Sequence, residues 1–251
     1  MVTVTVVLVH GNPETDAVWG PLVEALGRRD VVRLSPPGFG APLPSAFSAT
    51  FSAYRDWLID ELRTINGPVE LVGHDWGGCH VVNAVMQQPD LVRSWASDTV
   101  GLFDPEYVWH DMAQVFQTSE AGEQVVEAMI VSSVEDRAQQ LTDFGIPADV
   151  AKSFAAEQGP EMAKAILALY RSARQPALAD AGRALENAAA RPGLSLLATE
   201  DPYVGSDEMR RRAAGRAGAR TEVLDGLGHW WMVEDPARGA AALNRFWSSL
   251  D

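Results

Sequence analysis

The sequence predicts an α/β fold, a mostly parallel sheet of about six strands that carries a helical cap. Three observations predict it. Short β-branched runs recur with helical stretches between them, a pattern that fits parallel strands joined by crossover helices. Near Leu102 this alternation gives way to helix after helix, and near Leu194 it resumes and finishes the chain. Residues 1–101 and 191–251 are therefore assigned to the core domain and residues 102–190 to the cap. At 251 residues and 47% apolar content, the chain is large enough to bury a sizeable core.

The first strand is predicted over Val2 to Val9, followed by a loop and a helix from about Val18 to Arg28. Val31 to Leu34 reads as a second strand, closed by the turn-rich Ser35-Pro36-Pro37-Gly38-Phe39-Gly40. From about Thr50 to Ile65, Phe51, Tyr54, Leu58, Leu62 and Ile65 recur at helical spacing and form one apolar face. The run Val69 to Val72 is a strand, Trp76 to about Gln88 a helix ended by Pro89, and Val92 to Thr99 another strand. The helical insertion is broken at Gly145, Pro147, Gly159-Pro160 and Pro176. Strand pattern returns at Leu194 to Ala198 and Arg220 to Leu224, around a helix from Ser206 to Ala217, and an amphipathic helix from about Pro236 to Leu250 closes the chain.

With 34 acidic and 20 basic residues, the formal charge is -14. Such a field repels nucleic-acid backbones and anionic membranes and favours a small uncharged partner. The single cysteine, Cys79, cannot form an internal disulfide, and no zinc-type Cys/His spacing exists. The first nine residues lack the basic start of a signal peptide, and no apolar run approaches the roughly 20 residues of a membrane helix. The expectation is a soluble, cytoplasmic protein with neither metal nor cofactor; its oligomeric state is left open.

Between strand and helix stands Gly73-His74-Asp75-Trp76-Gly77-Gly78, the Gly-x-nucleophile-x-Gly frame of a nucleophile elbow with aspartate in the position usual for serine. A carboxylate is ionised at neutral pH without help from a base. Attack on an acyl carbon would give an anhydride, whereas attack on a strained or leaving-group-bearing saturated carbon gives an ester that water can cleave. Epoxides and alkyl halides thus fit better than peptides or lipids. The bland alternative is that Asp75 only caps the following helix.

His229, in the loop Gly226-Leu227-Gly228-His229-Trp230-Trp231 after the last strand, falls where a nucleophile, acid, base order puts the base. Asp201, in the loop after the strand Leu194 to Ala198, is the preferred acid to orient it; Glu200, Asp207 and Asp98 compete. At the end of the first strand, His10-Gly11-Asn12-Pro13 offers the Asn12 N–H, which with that of Trp76 can form an oxyanion hole.

In His-Gly-Asn-Pro, Pro-Gly-Phe-Gly, Gly-His-Asp-Trp-Gly-Gly and Gly-His-Trp, in this order around a helical insertion, the chain resembles α/β-hydrolases of the epoxide hydrolase and haloalkane dehalogenase branch. The resemblance covers nearly the whole chain. Members usually have two strands before the one that leads into His-Gly, whereas only nine residues precede His10, hence the expected six strands without an N-terminal hairpin. For epoxide hydrolases the resemblance implies a cap tyrosine that protonates the ring oxygen, here Tyr170 in Tyr170-Arg171; inward packing of an amphipathic helix explains the same residue without chemistry. The second cap tyrosine has no counterpart, since the similar segment offers Val115; Tyr107 and His110 are nearby substitutes. For dehalogenases it implies N–H donors to the halide, matched by Trp76 and Asn12. The favoured expectation is an epoxide hydrolase with water as co-substrate, the alternative a haloalkane dehalogenase, and the third a ligand-binding homologue of low turnover.

Overall fold

The computed structural model describes residues 4–250, so Val2 and Thr3 of the predicted first strand lie outside the described residues. The strands β1 (Thr5–Val9), β2 (Val31–Leu34), β3 (Val69–Gly73), β4 (Ser94–Ser97), β5 (Gly193–Ala198) and β6 (Ala219–Leu224) form one six-stranded sheet in the order β2-β1-β3-β4-β5-β6. Every pairing is parallel, as the alternating pattern predicts. The sheet divides the core in two. Val7, Val9 and Leu71 face one apolar cluster, and Val6, Leu8 and Val72 face the other. Both faces are covered, which is why these strands read as continuous apolar runs. Full burial of each such valine or leucine contributes roughly 1.5–3 kcal/mol.

The core helices are α1 (Gly20–Leu26), α2 (Phe51–Thr64) and α3 (Trp76–Gln87). The predicted 18–28 helix begins instead as a 3-10 turn over Asp16–Trp19, because the Thr15 side chain caps Ala17 N–H and Pro21 sets a fresh start; it ends at Gly27, whose φ of 63° suits glycine. Thr50 caps α2 through Ala53 N–H at 3.3 Å. β4 is shorter than predicted: Val92 N–H is spent on Pro89 O, and Thr99 N–H turns to the Ser97 hydroxyl.

The insertion contains α4 (Asp111–Gln117), α5 (Ala121–Val131), α6 (Val134–Asp143), α7 (Ala148–Glu157), α8 (Pro160–Ser172) and α9 (Ala177–Ala181), then a 3-10 run over Gly182–Ala190. Buried Arg137 knits α6 and α7 together by donating to the carbonyls of Ala155 and Ser132. The 3-10 run returns to the sheet, where Ala188 O accepts from the Trp95 indole at 3.2 Å. The chain finishes with α10 (Asp207–Arg216), a short α11 (Trp231–Glu234) and α12 (Pro236–Ser248). No helix among the described residues is long and apolar enough to cross a membrane.

Candidate active site

β3 runs into α3 through Asp75, which holds φ 50° and ψ −127°. A non-glycine residue there stores on the order of 1–3 kcal/mol of strain, a cost that surrounding structure must fix in place. Fixing comes from close approach: a Cβ on Gly77 would overlap the carbonyl of Val9, and one on Gly11 would overlap the Asp75 carboxylate. The Asp75 side chain does not cap α3. Its Oδ2 instead accepts from the backbone N–H of Asn12 at 2.8 Å. Burial pushes the Asp75 carboxyl up to about 6, against the pull of His229 and His74.

His229, in the loop after β6, hydrogen-bonds Asp201 Oδ2 through Nδ1 at 2.9 Å, and Asp201 Oδ1 accepts from Tyr203 N–H. A carboxylate only accepts, so Nδ1 carries the proton and Nε2 presents its lone pair. Nε2 lies 3.9 Å from Asp75 Oδ1, beyond hydrogen-bond range and open to a third molecule. Burial lowers the His229 pKa, but the Asp201 carboxylate outweighs it and the net shift is upward. Of the four candidate acids, Asp201 is the one bonded to His229. Asp98 accepts from Trp231 Nε1 and Asp75 N–H and contacts His74.

Beneath these groups lies a buried ion network. His74 Nδ1 is 2.5 Å from Asp98 Oδ2, its Nε2 is 3.0 Å from Glu14 Oε1, and its ring lies 4.6 Å from that of His229. Burial lowers the His74 pKa, yet the two carboxylates overcome it and hold the ring protonated. Burial raises Glu14, but His74 reverses this and brings it to about 2; Gly11 N–H and the Trp230 indole satisfy its oxygens. Glu14, His74 and His229 bring potential metal-ligand atoms within 4.8 Å of one another. Both nitrogens of His74 are already engaged, so the cluster is an ion pair network. Glu14→Gln leaves the buried imidazolium with Asp98 as its one carboxylate partner and is expected to cost about 3 kcal/mol at neutral pH. Because Glu14 ionises more readily folded than unfolded, its stabilisation is present above about 4.5 and is lost as pH falls towards 2. Urea unfolding of parent and variant should therefore converge across that range.

Tyr170 reaches the site from α8. That helix is moored where Phe51 N–H donates to the Ser172 hydroxyl and Leu43 N–H to Glu161. The Tyr170 ring stands edge-on to Trp76 at 5.1 Å and packs on Trp109 at 5.6 Å and Phe116 at 5.1 Å. Burial and the charge of Asp75 raise its pKa, while the neighbouring side chains of Trp76 and Asn12 act in the opposite direction. The phenol thus lies against the indole of the residue that follows Asp75. Trp109, which stacks on Trp76 at 5.4 Å, completes an aromatic wall that no motif signalled.

Tyr107 and His110 are placed differently from expectation. The Tyr107 hydroxyl donates to the Tyr203 carbonyl at 2.8 Å, so it is committed within the protein. His110 Nδ1 caps α4 at Ala113 N–H, and burial lowers its pKa to about 4. Its ring rests 5.0 Å from Tyr203, a residue sequence reasoning passed over, which in turn lies 5.0 Å from His229.

Over a matched stretch of 92 residues the chain is 34% identical to (E)-2-((N-methylformamido)methylene)succinate hydrolase of Acinetobacter baylyi, covering 36% of this chain and 35% of that protein. It is 31% identical over 96 residues to an epoxide hydrolase of Caballeronia sordidicola, 36% of this chain and 29% of the other. The matched stretches thus span about a third of the length of these curated relatives. A loop variant of haloalkane dehalogenase DbeA from Bradyrhizobium elkanii superposes with a TM-score of 0.72 at 16% identity, over 98% of this chain and 90% of that one. A likeness at that identity speaks for the fold. With a family model matching residues 6–242 in addition, the chain belongs to the alpha/beta hydrolase family.

Proposed function

We propose that this protein is an epoxide hydrolase that works through an ester on Asp75. The observation that carries the reading is the buried Tyr170 ring, which stands edge-on to Trp76 at 5.1 Å and whose phenol feels the charge of Asp75. A phenol so placed can give its proton to an oxygen that leaves as Asp75 attacks. The charges acting most strongly on Asp75 are those of His229, His74 and Glu14. None is a lysine or arginine, which suits an uncharged substrate better than a dicarboxylate.

In the first step Asp75 Oδ1 attacks an epoxide carbon, the ring C–O bond breaks, and Tyr170 gives its proton to the departing oxygen. In the second, His229 Nε2 takes a proton from water as the hydroxide adds to Cγ of Asp75. Asn12 N–H, already at the carboxylate, holds the developing oxyanion, with the N–H of Trp76 as its assigned partner. Collapse releases the alcohol oxygen, which takes the proton from His229, and the product is a vicinal diol. The proton lost when Asp75 re-ionises restores Tyr170. Water is the co-substrate, and the route calls on no cofactor or metal.

Haloalkane dehalogenation is the second reading, favoured by the Trp76 and Asn12 pair. A panel of styrene-type epoxides and bromoalkanes, run with the parent and with Asp75→Ala, separates them: diol supports the first reading and free bromide without diol the second. Binding without turnover would support a ligand-binding protein. Tyr170→Phe is expected to slow epoxide opening by roughly 10²-fold or more while leaving any bromide release largely intact, measured as initial rates on the same panel.

A further inference from the structure

The strands β2 and β6 form the two edges of the sheet, and each pairs on one side only. On β6, one hydrogen bond settles which backbone groups point away from the sheet. Leu224 O accepts from Thr199 N–H at 3.3 Å, so Leu224 turns its backbone towards β5. Successive residues alternate in this respect: Glu222 and Arg220 also face β5, while Ala219, Thr221 and Val223 present their N–H and C=O groups outwards. None of these outward groups finds a backbone partner among the described residues. Such a row is a template for another strand, and the stretch Ala-Arg-Thr-Glu-Val-Leu interrupts it with neither proline nor lysine. Side chains add a second constraint. Arg220 and Glu222 stand on the α12 face, where Arg220 donates to Ser249 Oγ at 2.7 Å and Glu222 pairs with Arg245. Ala219, Thr221 and Val223 stand on the other face, and Val223 is exposed there. Laid antiparallel on a copy of itself with Thr221 opposite Thr221, this strand is self-complementary: Arg220 falls opposite Glu222, and Ala219 opposite Val223. With Thr221 as a hydrogen-bonded pair, Arg220 and Glu222 take the intervening positions, where facing side chains come closest. The edge of β2 offers no such match. Asp30 O accepts from Val6 N–H, which makes Val31 and Arg33 its outward residues, and a two-fold centre at either one sets Arg33 opposite Arg29 or opposite itself.

We propose that the outer edge of β6 is a dimer interface, which takes a second copy of this chain by antiparallel pairing about a two-fold axis at Thr221. Thr221 exchanges both backbone hydrogen bonds with the partner's Thr221, and Ala219 does so with the partner's Val223. Arg220 closes an ion pair with the partner's Glu222, once on each side of the axis. The six-stranded sheet thereby continues into its copy, and Val223 is covered. Each copy offers the same patch to the other, so the assembly closes at two chains. This holds whichever substrate the site takes.

Sedimentation equilibrium over a dilution series of the parent is expected to show monomer and dimer in exchange. Arg220→Glu and Glu222→Arg each set like charges opposite one another, and each should raise the dimer dissociation constant by about 10-fold or more. Combining the two changes restores opposite charges across the axis and should bring the constant back to within about 3-fold of the parent. Glu222 also holds Arg245, but damage to α12 would add in the combined variant and not cancel. Thr221→Pro removes an N–H that β5 does not use, and should leave a monomer whose circular dichroism matches the parent. A parent that is monomeric at every concentration overturns the proposal. So does a dimer that these variants leave untouched, or a loss that adds when the two charge changes are combined.

Discussion

Asp75→Asn is expected to reduce turnover by roughly 10⁴-fold or more, because an amide oxygen cannot displace an alkoxide and no other group stands in its place. The same change should strengthen the fold. Burial raises the Asp75 carboxyl to about 6, so the folded chain resists an ionisation that the unfolded chain undergoes near 3.8. Between those values the unfolded state holds fewer protons, and the parent loses stability as pH rises through the window. Asparagine has no such penalty and should gain about 2–3 kcal/mol at neutral pH. Parent and variant should unfold alike near pH 3.5 and diverge towards pH 7, as followed by urea denaturation. A gain that is equal at both pH values would mean that packing, not ionisation, sets the difference.

His229→Gln is expected to stop the reaction at its midpoint. Asp75 needs no base, so the ester should form at close to the parent rate, whereas its breakdown should slow by roughly 10³-fold or more. Intact-protein mass spectrometry should then show one equivalent of epoxide added, and peptide mapping should locate it on the peptide that contains Asp75. In the parent, ester breakdown requires neutral His229. Its pKa lies above the ordinary 6.5, because Asp201 outweighs the effect of burial. Breakdown should therefore fall away with decreasing pH from above 6.5, and ester should accumulate in the parent until Asp75 itself takes up a proton near 6 and ester formation slows as well. A variant that never accumulates ester would sink the covalent route.

What could be read from the residues follows a physical line. The six strands and the helical insertion rest on local periodicity, and the elbow rests on a short stretch whose glycines admit close backbone approach; both are written in consecutive residues. The groups that were missed depend on contacts between distant ones. His74 reads as a spacer inside the elbow, yet its charge is set by Glu14, 60 residues earlier, and Asp98, 24 later. Glu14 belongs to none of the motifs. Asp98 and Asp201 both sit at strand ends, and only the folded sheet reveals that one serves His74 and the other His229. Tyr203 carries no motif at all; its place comes from two backbone hydrogen bonds and two neighbouring rings.

The helical insertion lies between β4 and β5, the strands just ahead of Asp98 and Asp201. After the loop of Asn12, the chain presents its parts in the order of the proposed reaction: the attacking Asp75, then Tyr170, then the water-activating pair Asp201 and His229. Recombination at two points, near Phe103 and near Gly193, would exchange the helical side of the site, Tyr170 and Trp109 included, and leave Asp75, Asp201 and His229 in place. Selection can thus revise the acid and the walls that meet a substrate while keeping the attacking carboxylate and the water-activating pair, and a laboratory can do the same by swapping one contiguous segment.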